Sequence, residues 1–425
     1  MTAEVAILNK HGVALAADSA LTVTVSGERK VYNTGNKLFA LSKYHPIGIM
    51  IYNNATFMDI DWEIIIKQFR RKLKTNSYPT LSKYADEFLK FVKNFKPISK
   101  ESQKDLLTSM CYDIFSRILN FFIKNLEKKF PEQKNITQSQ ITGVLISTIK
   151  EIQNIQKSTD NEGEIKLNHR YILTNKNLIL KIMNKVFEKY SLTKSQKENI
   201  INIFINDVQR SNIQNFTGIV ISGYGENEIF PSLYSYHICG KLGNSFIYTK
   251  RKCFSITPNN SAFIFPFAQS EMVHSFMGGI DPDFEKIFLF QLNNVINSIS
   301  NIMDESYKKK LNTIEEEFID YVNNFKQKVF ISPIMDIVNS LQKTDIAEMA
   351  ESLVNLTSFK RHVSRDTETV GGPTDVAVIT KGDGFIWIKR KQYFDKNIKQ
   401  HLLENYFKEV KKKEKHIGIY KTFLK

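Results

Sequence analysis

Two short apolar runs open the chain, residues 5–8 and 13–17, on either side of Asn9-Lys10-His11-Gly12. Neither run alternates with polar residues, so both faces of each strand are expected to be buried. A turn at 9–12 joins them, and Gly12 can take the positive φ that such turns often need. Residues 21–25 alternate and are β-branched, and Ser26-Gly27 follows as a turn. Residues 37–42 and 47–52 read as a second strand pair around Lys43-Tyr44-His45-Pro46. The period then changes. Phe57, Ile60, Ile64, Ile65 and Phe69 recur at helical spacing over residues 55–72.

Helical stripes continue from residue 73 to 212. One runs from Leu81 through Phe88 to Phe95 and stops at Pro97; a second runs from Leu106 to Leu126 and stops before Pro131. Two more helices are expected near residues 175–190 and 194–208, with a polar loop at 158–163. Strands resume at 216 and recur at 231–239, 245–248 and 262–265. Residues 285–330 and 346–359 return to helical patterning. Strands at 376–380 and 385–388 close the pattern around Lys381-Gly382-Asp383-Gly384, and a basic helical tail is expected over 393–425.

A buried hairpin so near the start of a sequence is unusual, because chain ends normally fray. Something is expected to hold Thr2 in place. Methionine removal is sterically allowed before threonine, so Thr2 could be the mature N-terminus. A free N-terminal threonine carries its own base. Its α-amine has a reference pKa of roughly 7.7–8.0 and can take the hydroxyl proton directly or through one water. A nearby cation and backbone donors for an oxyanion would complete the site.

The residues Thr2, Gly12-Val13-Ala14-Leu15-Ala16-Ala17-Asp18-Ser19 and Asn36-Lys37-Leu38-Phe39 resemble the start of proteasome β-subunits and of the related bacterial ATP-dependent peptidase subunit. These are N-terminal nucleophile (Ntn) hydrolases. The resemblance covers residues 2–58 and returns around 216–285 and 345–395. It implies an α+β fold, a four-layer αββα sandwich, enlarged here by a helical insertion. It places Thr2 as nucleophile, Asp18 as its acidic partner and Lys37 as the lysine. Backbone N–H groups at Asn53 or Asn54, where the family has glycines, would serve the oxyanion hole. The family's serine falls at Ser270, with Gln269 or Glu271 as alternative registers and a helix N-cap as the plain alternative. A further acidic position falls at Asp366 or Thr367, with Thr369 beside the family's hydroxyl position. The expected divisions are an N-terminal part of the core at 1–72, the insertion at 73–212, a C-terminal part of the core at 213–395 and the tail at 396–425.

Composition changes this picture little. The 425 residues are 42% hydrophobic and 24% charged, ordinary for a globular protein. The net charge of +15 is spread along the chain, so it is assigned to solvated faces rather than to nucleic-acid contact. No run of eighteen apolar residues suggests a membrane span, and Glu4 with no basic flank argues against a signal peptide. Cys111, Cys239 and Cys253 lack metal-ligand spacing and are expected as buried thiols in a cytoplasmic protein. No cofactor or metal is expected. The resemblance implies a threonine peptidase with a peptide or protein substrate, a homo-oligomer, and an ATPase as a further partner. A non-catalytic scaffold subunit and an amidase for small molecules are the alternatives. Ala20, where active members often carry a basic residue, supports the scaffold.

Overall fold

The computed structural model describes residues 2–25, 28–96, 98–131, 136–158, 165, 167, 169–210, 212–300, 305–364 and 370–391. The chain divides into two compact units, Met1–Ile388 and Lys389–Lys425. The second lies almost wholly outside the described residues, so the architecture below is that of the first. The expected turn at Ser26-Gly27, the stop at Pro97, most of the polar loop, and the candidates Asp366, Thr367 and Thr369 also lie outside the described residues, as does the tail.

The opening runs form β1 (Ala3–Asn9) and β2 (Gly12–Ala17), and every residue of both is buried. Asn9 makes the turn. Its side-chain oxygen accepts from the amides of His11 at 2.9 Å and Gly12 at 3.2 Å, while its Nδ2 donates to the carbonyls of Val338 and Leu341. Gly12 does not take the positive φ expected of it. Its constraint is a close approach, since a Cβ there would stand 2.7 Å from the Ile379 carbonyl oxygen.

β3 (Leu21–Val25) and β4 (Glu28–Tyr32) pair as a separate ribbon. β5 (Leu38–Ala40) and β6 (Ile47–Tyr52) follow. The helix expected from residue 55 begins later. β7 (Thr56–Phe57) and β8 (Ile60–Asp61) form a tight hairpin, and α1 spans Trp62–Leu73. Met58 and Asp59 take φ of 51° and 66° in that turn, a conformation incompatible with a helix through Phe57 and Ile60.

The helices of the middle segment are α2 (Leu81–Lys93), α3 (Lys100–Lys129), α4 (Gln138–Ser158), α5 (His169–Thr174), α6 (Lys176–Val186) and α7 (Lys194–Gln209). The hydroxyl oxygens of Thr80, Ser99 and Thr193 cap α2, α3 and α7. Then come β9 (Thr217–Gly223), β10 (Ser232–Leu242), β11 (Ser245–Ser255) and β12 (Ala262–Ala268). After them lie α8 (Glu271–Gly278), α9 (Pro282–Ser300), α10 (Glu305–Lys326) with a π-helical turn at Gln327–Ile331, α11 (Ser332–Ser340) and α12 (Lys343–Val363). β13 (Asp375–Thr380) and β14 (Gly384–Lys389) come last.

The strands assemble an α+β fold around two five-stranded sheets, ordered β12-β1-β2-β13-β14 and β11-β10-β9-β6-β5. Pairing is antiparallel across β12-β1-β2-β13 and across the whole second sheet. Alternation sorts the side chains of β1. Ala6 and Leu8 meet Met50, Val220 and Leu233 of the second sheet, while Val5 and Ile7 face Ile346, Ala350 and Leu353 of α12. The outer face of the second sheet, with Ile49, Ile51, Ile219 and Ile221, packs on Ile65, Phe69, Tyr84 and Phe88 of α1 and α2. Helices α3, α4, α6 and α7 build a core of their own, joined by Leu242 and Ile247 at the β10–β11 turn.

α3 is long and apolar enough, by length and composition, to cross a membrane. In this structure Leu107, Met110, Ile114, Phe115, Ile118 and Phe122 of α3 lie in that helical core. Only Cys111 of the three thiols is fully buried; Cys239 is half-buried and Cys253 is exposed, contrary to expectation. The reason is that Cys253 lies on β11, the edge strand of its sheet, where burial gives way to exposed positions after Ile247.

Candidate active site

β1 begins one residue after Thr2, and its pairing on both sides fixes that residue. Ala3 opposes Ala268 of β12, and Glu4 opposes Ala17 of β2. The amide of Gln269 donates to the Thr2 carbonyl at 3.1 Å, and the amide of Asp18 donates to the Ala3 carbonyl at 3.1 Å. Arg361 of α12 clamps the far side of this junction, donating to Gln269 Oε1 at 2.7 Å and to Glu271 at 3.0 Å. Ala268 is held at φ 58° and Asn53 at φ 71°, so two non-glycine residues near Thr2 occupy the left-handed region. Such outliers persist only where the surrounding structure imposes them.

Asp18 follows β2 directly, and its carboxylate is almost completely enclosed. Oδ1 accepts from the Ala3 amide at 3.0 Å and from Lys37 Nζ at 2.5 Å. Oδ2 accepts from the amides of Ala20 at 3.2 Å and Gly371 at 3.1 Å. Three backbone amides and one ammonium thus satisfy it. The Gly371 contact brings the closing segment of the chain onto the first strands. Gly372 beside it has φ 74°, and a Cβ there would come within 2.8 Å of Asn33 Cβ. Lys37, expected near the core, is 3% exposed just before β5, and its carbonyl accepts from the Ile51 amide at 2.8 Å.

Glu4 is a site residue that sequence reasoning missed. Its side chain is 0% exposed, and one carboxylate oxygen lies 3.6 Å from Lys37 Nζ. Neither oxygen has a partner at good hydrogen-bond geometry, and the nearby Thr2 Oγ1 is likewise buried without one. Burial raises the Glu4 pKa to about 8, aided by the Asp18 charge and opposed by Lys37 and by the nearby Thr2 hydroxyl. The signal was present in the sequence: a lone carboxylate in a strand whose other residues are almost all apolar.

Thr2, Lys37, Asn53 and Asn54 line one cleft together with Leu21, Ile51, Tyr52 and Ala55. Asn53 donates its side-chain amide to the Phe216 carbonyl at 2.8 Å, and Asn54 donates to Asn215 Oδ1 at 2.6 Å. Both side chains are therefore engaged away from the cleft. Tyr52 roofs it, with its hydroxyl 2.9 Å from His237 Nε2, and the His237 ring stacks on Phe216. Burial lowers the His237 pKa to about 3, and Arg251 adds to the shift. The neutral imidazole and the phenol form a fixed pair.

The structure thus gathers Thr2, Asp18 and Lys37 and adds Glu4. Ser270 precedes α8, next to the Gln269 amide that holds Thr2, but its hydroxyl caps no amide of that helix. Asp366 lies outside the described residues. Among the described residues no group of three or more His, Cys, Asp or Glu side chains could hold a metal ion.

No protein-family model and no curated protein matches the chain. Among solved structures the chain is similar to Anbu (ancestral beta-subunit) from Yersinia bercovieri, at 11% identity over 96% of each chain. The TM-score is 0.28, a likeness too distant to carry an argument about chemistry.

Proposed function

We propose that this chain is a proteasome-like N-terminal threonine hydrolase, a peptidase built on the αββα sandwich of the Ntn hydrolases. The observation that carries the reading is the buried Asp18–Lys37 ion pair at the cleft that Thr2 lines. A buried ammonium is costly, and a subunit that only builds an assembly has no need of one there.

In this mechanism, loss of Met1 frees the Thr2 α-amine. The neutral amine takes the proton from Oγ1, which attacks the amide carbonyl carbon. Lys37, held charged by Asp18, stabilises the developing alkoxide, and a backbone N–H at Asn53 or Asn54 receives the oxyanion. The ammonium returns its proton to the leaving nitrogen as the C–N bond breaks, leaving an ester on Thr2. Water, deprotonated by the same amine, releases the acid. Ser270 and Asp366 are assigned to the surroundings of the amine. The same reading carries a peptide or protein substrate, a homo-oligomer, a cytoplasmic setting and an ATPase as a candidate partner.

One observation favours a second reading. The cleft that Thr2 lines is small, which favours a small amide, or a scaffold subunit that binds no substrate, over a peptide. The test is labelling by a peptide epoxyketone, which needs both hydroxyl and free amine to close its ring. Intact mass should show loss of Met1, and mass mapping should place the adduct on Thr2. Thr2→Ala should lose the label and about 10⁴-fold or more in hydrolysis, while Thr2→Ser retains part of the activity. Hydrolysis by Thr2→Ala would eliminate the mechanism. An inert wild type across peptide and small-amide panels would leave the scaffold.

A further inference from the structure

Two buried carboxylates stand beside one buried ammonium, and they are not equivalent. Asp18 accepts four hydrogen bonds, whereas Glu4 has only the neighbouring Thr2 hydroxyl and Lys37 ammonium, the latter at 3.6 Å, and neither meets hydrogen-bond geometry. When one proton must be shared by such a pair, it resides on the group with the poorer donors, because ionising that group there costs most. The groups facing Glu4 are few. They are Asp18 after β2, Lys37 before β5, the Tyr52 hydroxyl of β6, the Thr2 hydroxyl, and the Thr2 α-amine once it is free. Opposite Glu4 on β12 stands Phe267, which is apolar.

We propose that Glu4 is a positioning residue that gates the Thr2 site by holding a proton. The inference rests on the reading of Thr2 as nucleophile. With Glu4 protonated, Asp18 and Lys37 cancel as a pair, and Lys37 still presents its positive end to the cleft. When Glu4 loses its proton to bulk base, the cluster carries a net negative charge beside Thr2 Oγ1. That charge opposes the alkoxide and favours the protonated amine, so both steps of the attack weaken. Asp18 is saturated with donors and Tyr52 is held protonated, its pKa raised by burial, so neither takes this role. The site would therefore work below the ionisation of Glu4 and close above it. The acid limb of the profile belongs to the amine and the alkaline limb to Glu4, as macroscopic values of a coupled set.

The experiment measures kcat/KM and the rate of epoxyketone labelling from about pH 6 to about pH 10 for wild type and Glu4→Gln. Glutamine has the shape of the protonated acid and cannot ionise. Wild type is expected to fall on the alkaline side, and E4Q to lose that fall, so that the ratio of its rate to the wild-type rate climbs steadily with pH. Glu4→Met, apolar and of similar length, should behave as E4Q does and covers the case in which the amide disturbs folding. An unchanged alkaline limb in both variants would overturn the gate while leaving Thr2 as nucleophile. A wild type that neither labels nor hydrolyses at any pH would overturn both. A plainly structural Glu4 would change the rate by the same factor at every pH, a result that also rejects the gate.

Discussion

Glu4 and Asp18 carry the same functional group and both face Lys37, and their surroundings make them different acids. The difference reaches stability. The Glu4 pKa is raised from 4.5 to about 8 in the folded chain. Between those values the folded chain binds a proton that the unfolded chain releases. The contribution of Glu4 to stability is therefore full below about 4.5 and lost as pH rises through about 8. His237 runs the other way, lowered from 6.5 to about 3, so its contribution is full above 6.5 and lost as pH falls through about 3. Urea midpoints of wild type should decline relative to Glu4→Gln between about pH 5 and about pH 9; parallel curves would refute the buried acid. Lys37→Ala should abolish turnover. It should also cost about 3 kcal/mol, the low end for breaking a buried pair, because three amides still hold Asp18. Denaturation of the variant checks this, and a cost near zero would show that the ion pair contributes nothing to stability.

At the scale of elements, two glycines act through close approach rather than through φ. Gly12 admits the Ile379 carbonyl of β13, and Gly218 of β9 admits the Tyr52 ring, whose atoms would lie 2.0 Å from an added Cβ. Tyr52 cannot simply swing aside, since His237 holds its hydroxyl and Phe267 lies against its ring at 5.4 Å between centroids. Gly218→Ala should therefore cost about 1–3 kcal/mol, as overpacking does. It should also perturb the Thr2 site from a residue that does not line the cleft. Loss of labelling with folding retained, read by circular dichroism, is the expected outcome; wild-type labelling would show that the roof moves freely. The late start of α1 is a lesson at the same scale. Phe57 and Ile60 fit a helical stripe, yet they pack around a hairpin, because local spacing cannot see the turn at Met58-Asp59.

The whole molecule solves a problem of size. Beyond roughly 250–300 residues a single core stops growing, and among the described residues the interior separates into four clusters, one between the sheets, two beneath their helices and one inside α3–α7. Phe122 of α3 is fully buried in the last, edge-on to Tyr190 at 5.1 Å. Phe122→Ala should cost about 3–5 kcal/mol. It should lower the thermal midpoint while Thr2 labelling persists at temperatures where the chain stays folded. Loss of labelling there would mean that the helical cluster and the site are coupled. α9 and α10 expose Phe284, Phe288, Phe290, Tyr321 and Phe325 in the single chain, more apolar surface than an isolated helix pair usually shows water. Sedimentation of the full chain should give a homo-oligomer. A monomer at micromolar concentration would count against a compartmental protease and for a small-molecule amidase.

The sequence by itself determined the elements whose signal is local. The all-apolar runs of β1 and β2, the helical stripes from Leu81 onward, the strands from Thr217 onward and the closing hairpin all follow from period and from turn residues. Thr2 was legible too, through its place before that first hairpin, and Asp18 and Lys37 through the resemblance of their segments to proteasome β-subunits. Tertiary structure decided whatever depends on residues far apart in the chain. It set the Gly371 amide on Asp18, the Arg361 clamp on Gln269 and the His237 anchor of Tyr52. It also made an acid of Glu4, because only the closing of the second sheet over β1 removes the water that would have kept that carboxylate ordinary. Periodicity reports which face of an element is apolar; it carries no record of which polar group the opposite sheet leaves without a partner.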